Sequence, residues 1–336
     1  MKERKRILIT GVAGFMGSHI ARKFCKMNKY DVFGVDDLSG GKKDNIKDID
    51  NLKFFQVDLR SDRASRFLIN EVRPHYIYHL AANARECASF FQPLDVMQRN
   101  IVAYMNVLQP SISNGLEKIV TFLSMSIYGD QKPPFDETYK FKPVDPYAVS
   151  KVSMAEVTKQ LADVHGFKWT LIVPRNVYGS FQSLNDRFRN VIGITMNHIM
   201  RGEDVVIYGT GKQVRSFSYI ENSLPCYVKC LEPKFDGELI NIGGMVPETI
   251  NAVVDMIISN FPNYKGKVVH LPKRHGEVFK AYASYQKSID ILGYKEKYSL
   301  EQGIRKMAKW AKEKGPQEWT KEKLVLYNDK APITWK

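Results

Sequence analysis

Short apolar runs alternate with amphipathic stretches through the first half of the chain. Residues 6–10, 76–80, 118–123 and 168–173 are nearly continuous apolar runs. Runs of that length, bounded by turn residues, read as strands buried on both faces. Segments 30–35 and 52–57 add two more. Between them, residues 18–27, 61–70, 100–113 and 147–165 carry helical periodicity. Strands alternating with helices of about 10–15 residues predict an α/β fold, a doubly wound parallel sheet with helices on both faces. After Pro174 the pattern loosens. Residues 176–211 mix a Gly/Ser/Asn loop, an amphipathic segment and a short strand at 205–208. A further sheet strand is predicted at 238–242, and helices at 249–260 and 300–314. The remainder, 315–336, is polar with Trp319 and Trp335 and reads as a tail packed on the surface.

Composition narrows this. In 336 residues, 44% are hydrophobic and 26% charged, enough for a sizeable core. No apolar run approaches the roughly 20 residues that span a bilayer. The segment Met1 to Arg6 runs straight into the first strand without a signal-peptide pattern, so a cytoplasmic protein is expected. Cys25, Cys87, Cys226 and Cys230 are scattered, which suggests neither disulfides nor a metal site. The net charge of +14 fits either nucleic acid or small anionic ligands. The basic residues are spread among acids, with no basic stripe, which favours small anions.

The first candidate chemistry is the spacing Gly11-x-x-Gly14-x-x-Gly17, directly after a strand and opening a helix. Gly11 permits a tight turn, Gly14 lets the backbone approach a pyrophosphate, and Gly17 allows close packing of helix on strand. The helix start at Phe15 and Met16 offers N–H groups to phosphate. Asp36, with Asp37 beside it, ends the second strand at the offset where a carboxylate holds ribose hydroxyls. A carboxylate there disfavours a 2′-phosphate, so NAD is expected rather than NADP. The second is Tyr147-x-x-x-Lys151, one turn apart on a predicted helix, with Ser124 upstream. An ammonium near a phenol lowers its pKa and makes a usable proton acceptor. His79 follows an apolar strand and reads as a core residue.

With these pieces in order, the chain resembles the extended short-chain dehydrogenase/reductase family, in its nucleotide-sugar epimerase/dehydratase branch. Asp58-Leu59 looks like the family's adenine-contacting Asp-Leu. His79-Leu80-Ala81-Ala82 looks like the segment passing under the cofactor, and Asn100 and Asn106 like the paired Asn of the next helix. Asn176-Val177-Tyr178-Gly179 resembles the family's Asn-Val-Tyr-Gly turn, whose Asn contacts substrate. Tyr208-Gly209, Arg215 and Arg274-His275-Gly276-Glu277 resemble the segments that hold the nucleotide and its diphosphate. The resemblance implies a Rossmann-type NAD domain over 1–175 plus about 217–242. It implies a smaller α/β C-terminal substrate lobe over 176–216 and 243–314, with 315–336 as a tail.

It also implies hydride transfer from a nucleoside-diphosphate sugar to a tightly bound, recycled NAD. Tyr147 would take the hydroxyl proton, Lys151 would assist it and bind the cofactor, and Ser124 would hold the sugar oxygen. In 4,6-dehydratases the two residues after this Ser/Thr are typically Asp-Glu; here they are Met125 and Ser126. Methionine cannot move a proton and serine is a poor base, so the expected reaction is C4 epimerisation through a 4-keto sugar, with Ser126 among the substrate contacts. A 4,6-dehydratase, or a 5- or 3,5-epimerase, is the alternative. The loop Arg85-Glu86-Cys87 departs from the family's usual residues. Arg85 is a candidate partner for a sugar carboxylate, and Glu86 or Cys87 an extra acid/base; a loop ion pair and a buried thiol are the plainer reading. Other readings are a non-catalytic NAD-binding regulatory protein and an NADPH-dependent reductase, which Asp36 disfavours. A homodimer through the helices at 100–113 and 147–165, and a place in carbohydrate or polysaccharide biosynthesis, follow from the resemblance alone.

Overall fold

The computed structural model describes residues 4–321 and 324–335; residues 1–3 of the N-terminal segment and 322, 323 and 336 of the tail lie outside it. Six strands build the first half: β1 (Arg6–Thr10), β2 (Asp31–Asp36), β3 (Leu52–Gln56), β4 (Tyr76–His79), β5 (Lys118–Phe122) and β6 (Lys168–Pro174). The helices among them are α1 (Phe15–Met27), α2 (Asp62–Val72), α3 (Pro93–Met97), α4 (Ala103–Ser113) and α5 (Pro146–His165). Then follow β7 (Val177–Tyr178), α6 (Val191–Met200), β8 (Val205–Tyr208), β9 (Val214–Ser216), β10 (Ser218–Tyr219), α7 (Ile220–Lys229) and β11 (Glu238–Ile242). The last are β12 (Pro247–Thr249), α8 (Ile250–Ile258), β13 (Val268–Leu271), β14 (Lys280–Ala281), α9 (Gln286–Leu292) and α10 (Leu300–Lys314).

Seven strands form one parallel sheet in the order β11-β6-β5-β4-β1-β2-β3. The central strands are apolar on both faces because helices cover both; Ile7, Leu8 and Ile9 are fully buried. The chain order reverses between β1 and β4. A crevice opens there at the carboxyl ends of the strands, where open α/β sheets bind ligands. One apolar cluster packs α1 and α7 to one face, and a second packs α2, α4 and α5 to the other.

The helix expected at 100–113 begins earlier. It starts at Pro93 and passes through a π-helical turn, Gln98–Val102, before continuing as α4. The polar run Gln98-Arg99-Asn100 hides the apolar period there, and the π turn absorbs one extra residue. Beyond β6 the short strands form three small sheets, β10-β7, β12-β9-β14 and β13-β8. Arg175, 1% exposed, ties the end of β6 to this region by donating to Gly244 O (2.9 Å) and Ser284 O (2.6 Å).

The tail is more than a surface strap. Trp335 is buried, with Phe188 and Phe91 at ring-centroid distances of 4.9 and 6.2 Å. Arg187 donates to Thr334 O, and Thr334 Oγ1 pairs with Tyr208 Oη. Among the described residues all four cysteines are free, and no cluster of metal-ligating side chains occurs. Among them, too, no helix is long and apolar enough to cross a membrane.

Candidate active site

The glycine loop follows from local backbone demands. Gly11 has φ +68°, a left-handed conformation, and a Cβ on it would lie 2.8 Å from Ala81 N. A Cβ on Gly17 would lie 2.2 Å from Gly11 O, so only glycine lets α1 approach the loop this closely. Gly14 caps α1 and, lacking a side chain, makes no cap hydrogen bond to the first-turn N–H groups. The three glycines, Phe15 and Met16 line one end of a cleft of about 700 Å³.

Asp36 accepts hydrogen bonds from Ala13 N (3.0 Å) and Leu38 N (2.8 Å); burial pushes its carboxyl above the usual range against these bonds. Asp37 accepts from Ser39 and from Arg99 Nη1 (2.9 Å). Asp58 lines the same end and is gripped by Arg60, whose Nη2 donates at 2.7 Å. Leu59, Leu80, Ala81 and Ala82 complete this wall. Arg60, Asp95 and Arg99 also face it, although no sequence motif marks them. Asn106 donates to Leu59 O and Arg60 O and so fixes that loop.

Asn100 does not reach the cleft. Fully buried in the π turn, it accepts from Asn83 N (2.7 Å) and donates to Ser150 Oγ (2.8 Å). It therefore clamps the loop after β4 to α5 and acts on the cleft wall through Asn83. His79 is fully buried, with Nδ1 3.1 Å from Thr10 Oγ1, and burial drives its pKa down to about 3, so its ring is neutral.

Ser124, Tyr147 and Lys151 meet on the cleft floor. Asp145 caps α5 by accepting from Ala148 N (2.7 Å), and Pro146 at the first helical position presets the helix start that aims Tyr147 and Lys151 inward. Lys151 Nζ lies 5.9 Å from the Tyr147 ring centroid while donating to Phe122 O (2.9 Å). The expectation that Lys151 lowers the Tyr147 pKa does not hold in this structure. Burial, with the charge of Glu86, pushes the phenol well up, and the neighbouring Ser124 opposes this only in part. Burial and then Arg189 draw Lys151 down to about 7. Desolvation penalises both charged forms and is the largest cause of each shift.

Beyond the floor, Ser126 Oγ donates to Ser124 Oγ at 3.0 Å. Glu86 keeps solvent-accessible surface in the cleft; nearby protein still raises its pKa by desolvation, which Arg215 and Arg274 oppose. Burial and then Glu86 push Asp145 up to about 7. Arg85 is not set to receive a sugar carboxylate: its guanidinium pairs with the buried Asp186 through Nε (3.0 Å) and Nη2 (2.9 Å). Cys87 is held protonated by burial, with its pKa raised to about 11, and so is unsuited to act as a base.

Asn176 lines the cleft with its amide donating to Ser216 O (2.9 Å). Arg215 donates from Nη1 to Val214 O and Phe279 O and from Nη2 to Val278 O, and Arg274 donates to Glu277 Oε1 (2.8 Å). Tyr208 lies instead in an adjoining cavity of about 900 Å³, with Arg274 5.0 Å above its ring. The two cavities share Arg274 and Glu277, and tail residues 329–332 wall the second. Glu277 falls in the segment that the resemblance marks, whereas Arg189 lies in a loop without pattern and escapes sequence reasoning.

Residues 7–243 match the family described as NAD dependent epimerase/dehydratase, and the chain belongs to that family. A UDP-glucuronate 4-epimerase of Thermodesulfobacterium geofontis is 28% identical, over 91% of this chain and 96% of its own. The crystal structure of Thermotoga maritima UDP-glucose 4-epimerase with UDP-glucose superposes with a TM-score of 0.86 at 31% identity, covering 92% of this chain and 99% of the other. That of Thermus thermophilus UDP-glucose 4-epimerase complexed with NAD gives 0.84 at 27% identity, over 91% and 98%.

Proposed function

We propose that the protein is an NAD-dependent epimerase that inverts C4 of a nucleoside-diphosphate hexose through a 4-keto intermediate. The observation that carries this is the convergence of Ser124, Tyr147 and Lys151 on the floor of a cleft whose other end is the glycine cradle. The cradle fits a dinucleotide, because a Cβ at Gly11 or Gly17 would collide with backbone where its phosphates must approach. When bound there, NAD serves as reversible hydride acceptor for the sugar carbon. Asp36 holds the ribose hydroxyls, Asp58 and Leu59 flank the adenine, and the uncapped start of α1 faces the phosphates. Tyr147 removes and returns the hydroxyl proton. Ser124 donates to the same oxygen as it becomes a carbonyl, and Lys151 binds the cofactor ribose. Arg215 and Arg274 face the diphosphate, Tyr208 the base, and Asn176 and Ser126 the sugar. Met125 and Ser126, in place of an acid/base pair, support epimerisation over dehydration.

The segments 176–216 and 243–314 serve as the substrate lobe in this reading. A cytoplasmic homodimer suits it: Val102, Val149 and Val164 lie exposed at the helices expected to pair. Nucleotide-sugar supply for polysaccharide synthesis is the corresponding role.

The test is incubation of the pure protein with a panel of UDP- and dTDP-hexoses. A C4 epimer is the expected product; accumulation of a 4-keto-6-deoxy sugar would replace epimerase by dehydratase. For the cofactor, Asp36→Ala is expected to weaken NAD roughly ten- to a hundredfold, the worth of hydrogen bonds to a charged group. NADP should lose little, so the preference between the two narrows. Calorimetric titration with each dinucleotide checks this, and an unchanged ratio would remove Asp36 from the ribose.

A further inference from the structure

The C-terminal segment 324–335 packs on the walls of the cleft and belongs to neither main core. Its buried residues, Ala331 and Trp335, join Ala88 and Phe91 in a small apolar cluster apart from the two that cover the sheet. Phe90 and Phe188 pack against that cluster and also line the cleft. Val325 N (3.1 Å) and Leu326 N (2.9 Å) both donate to Phe91 O and fasten the start of the segment. Its end is fastened by Arg187 Nη1, which donates to Thr334 O (2.8 Å), and by the paired hydroxyls of Thr334 and Tyr208. The side chains of Val325 and Leu326 stay exposed, so the segment lies over the site as a strap.

Tyr208 is where strap and pocket meet. Arg274 stands 5.0 Å over its ring and Thr334 takes its hydroxyl, so one face and the outer edge of the ring are both fixed. Strap residues 329–332 wall the same cavity of about 900 Å³. The loop after β4 ties the strap to the segment 274–277. Phe91 receives Trp335 and the two main-chain bonds, and Phe90 meets His275, next to Arg274, at a ring-centroid distance of 5.3 Å. That contact is close: a Cβ on Gly276 would lie 2.6 Å from the Phe90 ring.

We propose that the strap 324–335 is the outer wall of the nucleotide pocket, with Thr334 and Trp335 as positioning residues that set Tyr208 for the base and hold residues 329–332 over the nucleoside. The inference rests on the nucleotide-sugar reading of this site. It couples two equilibria. A nucleoside diphosphate that touches the docked wall binds the docked state better and so favours docking. By reciprocity, loss of the Trp335 anchor weakens the nucleotide. Proton transfer is assigned to Tyr147 on the cleft floor, outside this cavity, so the strap acts on substrate binding and leaves the chemical step alone.

The experiment compares full-length wild type with Trp335→Ala, Trp335→Phe and Thr334→Val. Each is titrated with UDP, with dTDP and with NAD, and hydrogen exchange of residues 324–335 is followed with and without saturating nucleotide. Trp335→Ala is expected to weaken the preferred nucleotide about tenfold, within the usual range of such couplings, and to raise KM for its hexose likewise. Its kcat and its NAD affinity should stay within about twofold, the pattern of lost binding with the chemistry intact. Trp335→Phe should recover most of the affinity, and Thr334→Val should lose about threefold, the worth of one neutral hydrogen bond. In wild type the nucleotide should slow exchange of the strap about tenfold, by the same coupling. Retained NAD binding shows that a variant has folded; if Trp335→Ala does not fold, Thr334→Val and the wild-type exchange decide. Equal exchange with and without nucleotide would overturn the strap and leave the epimerase reading intact. So would unchanged nucleotide affinity in the folded variants, or a fall in kcat at constant KM. A wild-type protein that binds neither UDP nor dTDP overturns the nucleotide-sugar reading, and the strap with it.

Discussion

Replacing Tyr147 by Phe is expected to lower kcat by about a thousandfold while leaving binding of NAD and of the nucleotide sugar within a few-fold. The magnitude is that of removing a positioned proton-transfer group. The asymmetry between kcat and binding follows from where the hydroxyl sits. The hydroxyl belongs to the cleft floor with Ser124, whereas the ring that survives the substitution supplies the buried packing there. Ser124 and Lys151 keep their positions through the Ser126 hydroxyl and Phe122 O. Steady-state kinetics with calorimetric binding checks it. Retention of full activity would remove Tyr147 from the chemistry, and absence of activity in both proteins would favour an NAD-binding module without turnover.

The second large effect concerns the glycine loop. A methyl at Gly17 would press on the carbonyl oxygen of Gly11, and backbone there cannot swing aside like a flexible side chain. Gly17→Ala is expected to push α1 off the loop, to cost about 3 kcal/mol of stability as overpacking does, and to weaken NAD by more than about a hundredfold, since the first-turn N–H groups move with the helix. Gly40→Ala is the control for stability, because nothing lies within 4 Å of its added Cβ. Thermal unfolding with and without NAD reads both. Equal melting temperatures for Gly17→Ala and the control would show that the loop relaxes freely.

Much of this was legible in the chain. The strand at Glu238–Ile242 and the helix at Leu300–Lys314 fall where periodicity puts them, and the other sheet strands lie within a residue or so, because a buried parallel strand is written as an apolar run. Short strands such as Ser218–Tyr219 are not legible, since two residues carry no period. The start of the helix at Pro93 is masked by the polar π turn. At the cleft, Glu86 is visible as an acid in a loop, but its place near Arg215 and Arg274, far along the chain, is a fact of topology. The pKa of Tyr147 misleads for a different reason: spacing reports which groups are near, and burial decides which of them can be charged.

One feature of the sheet bears on how the polypeptide is made. Its outer strand β11 arrives only after the chain has left the sheet at Pro174 and built α6, β8 and α7. Until then the main chain of β6 along Thr170–Pro174 has no partner on its outer side, although its side chains are already among the most buried. A nascent or prematurely ended chain that stops short of Glu238 thus carries a sticky apolar strand edge, ready to pair with another copy.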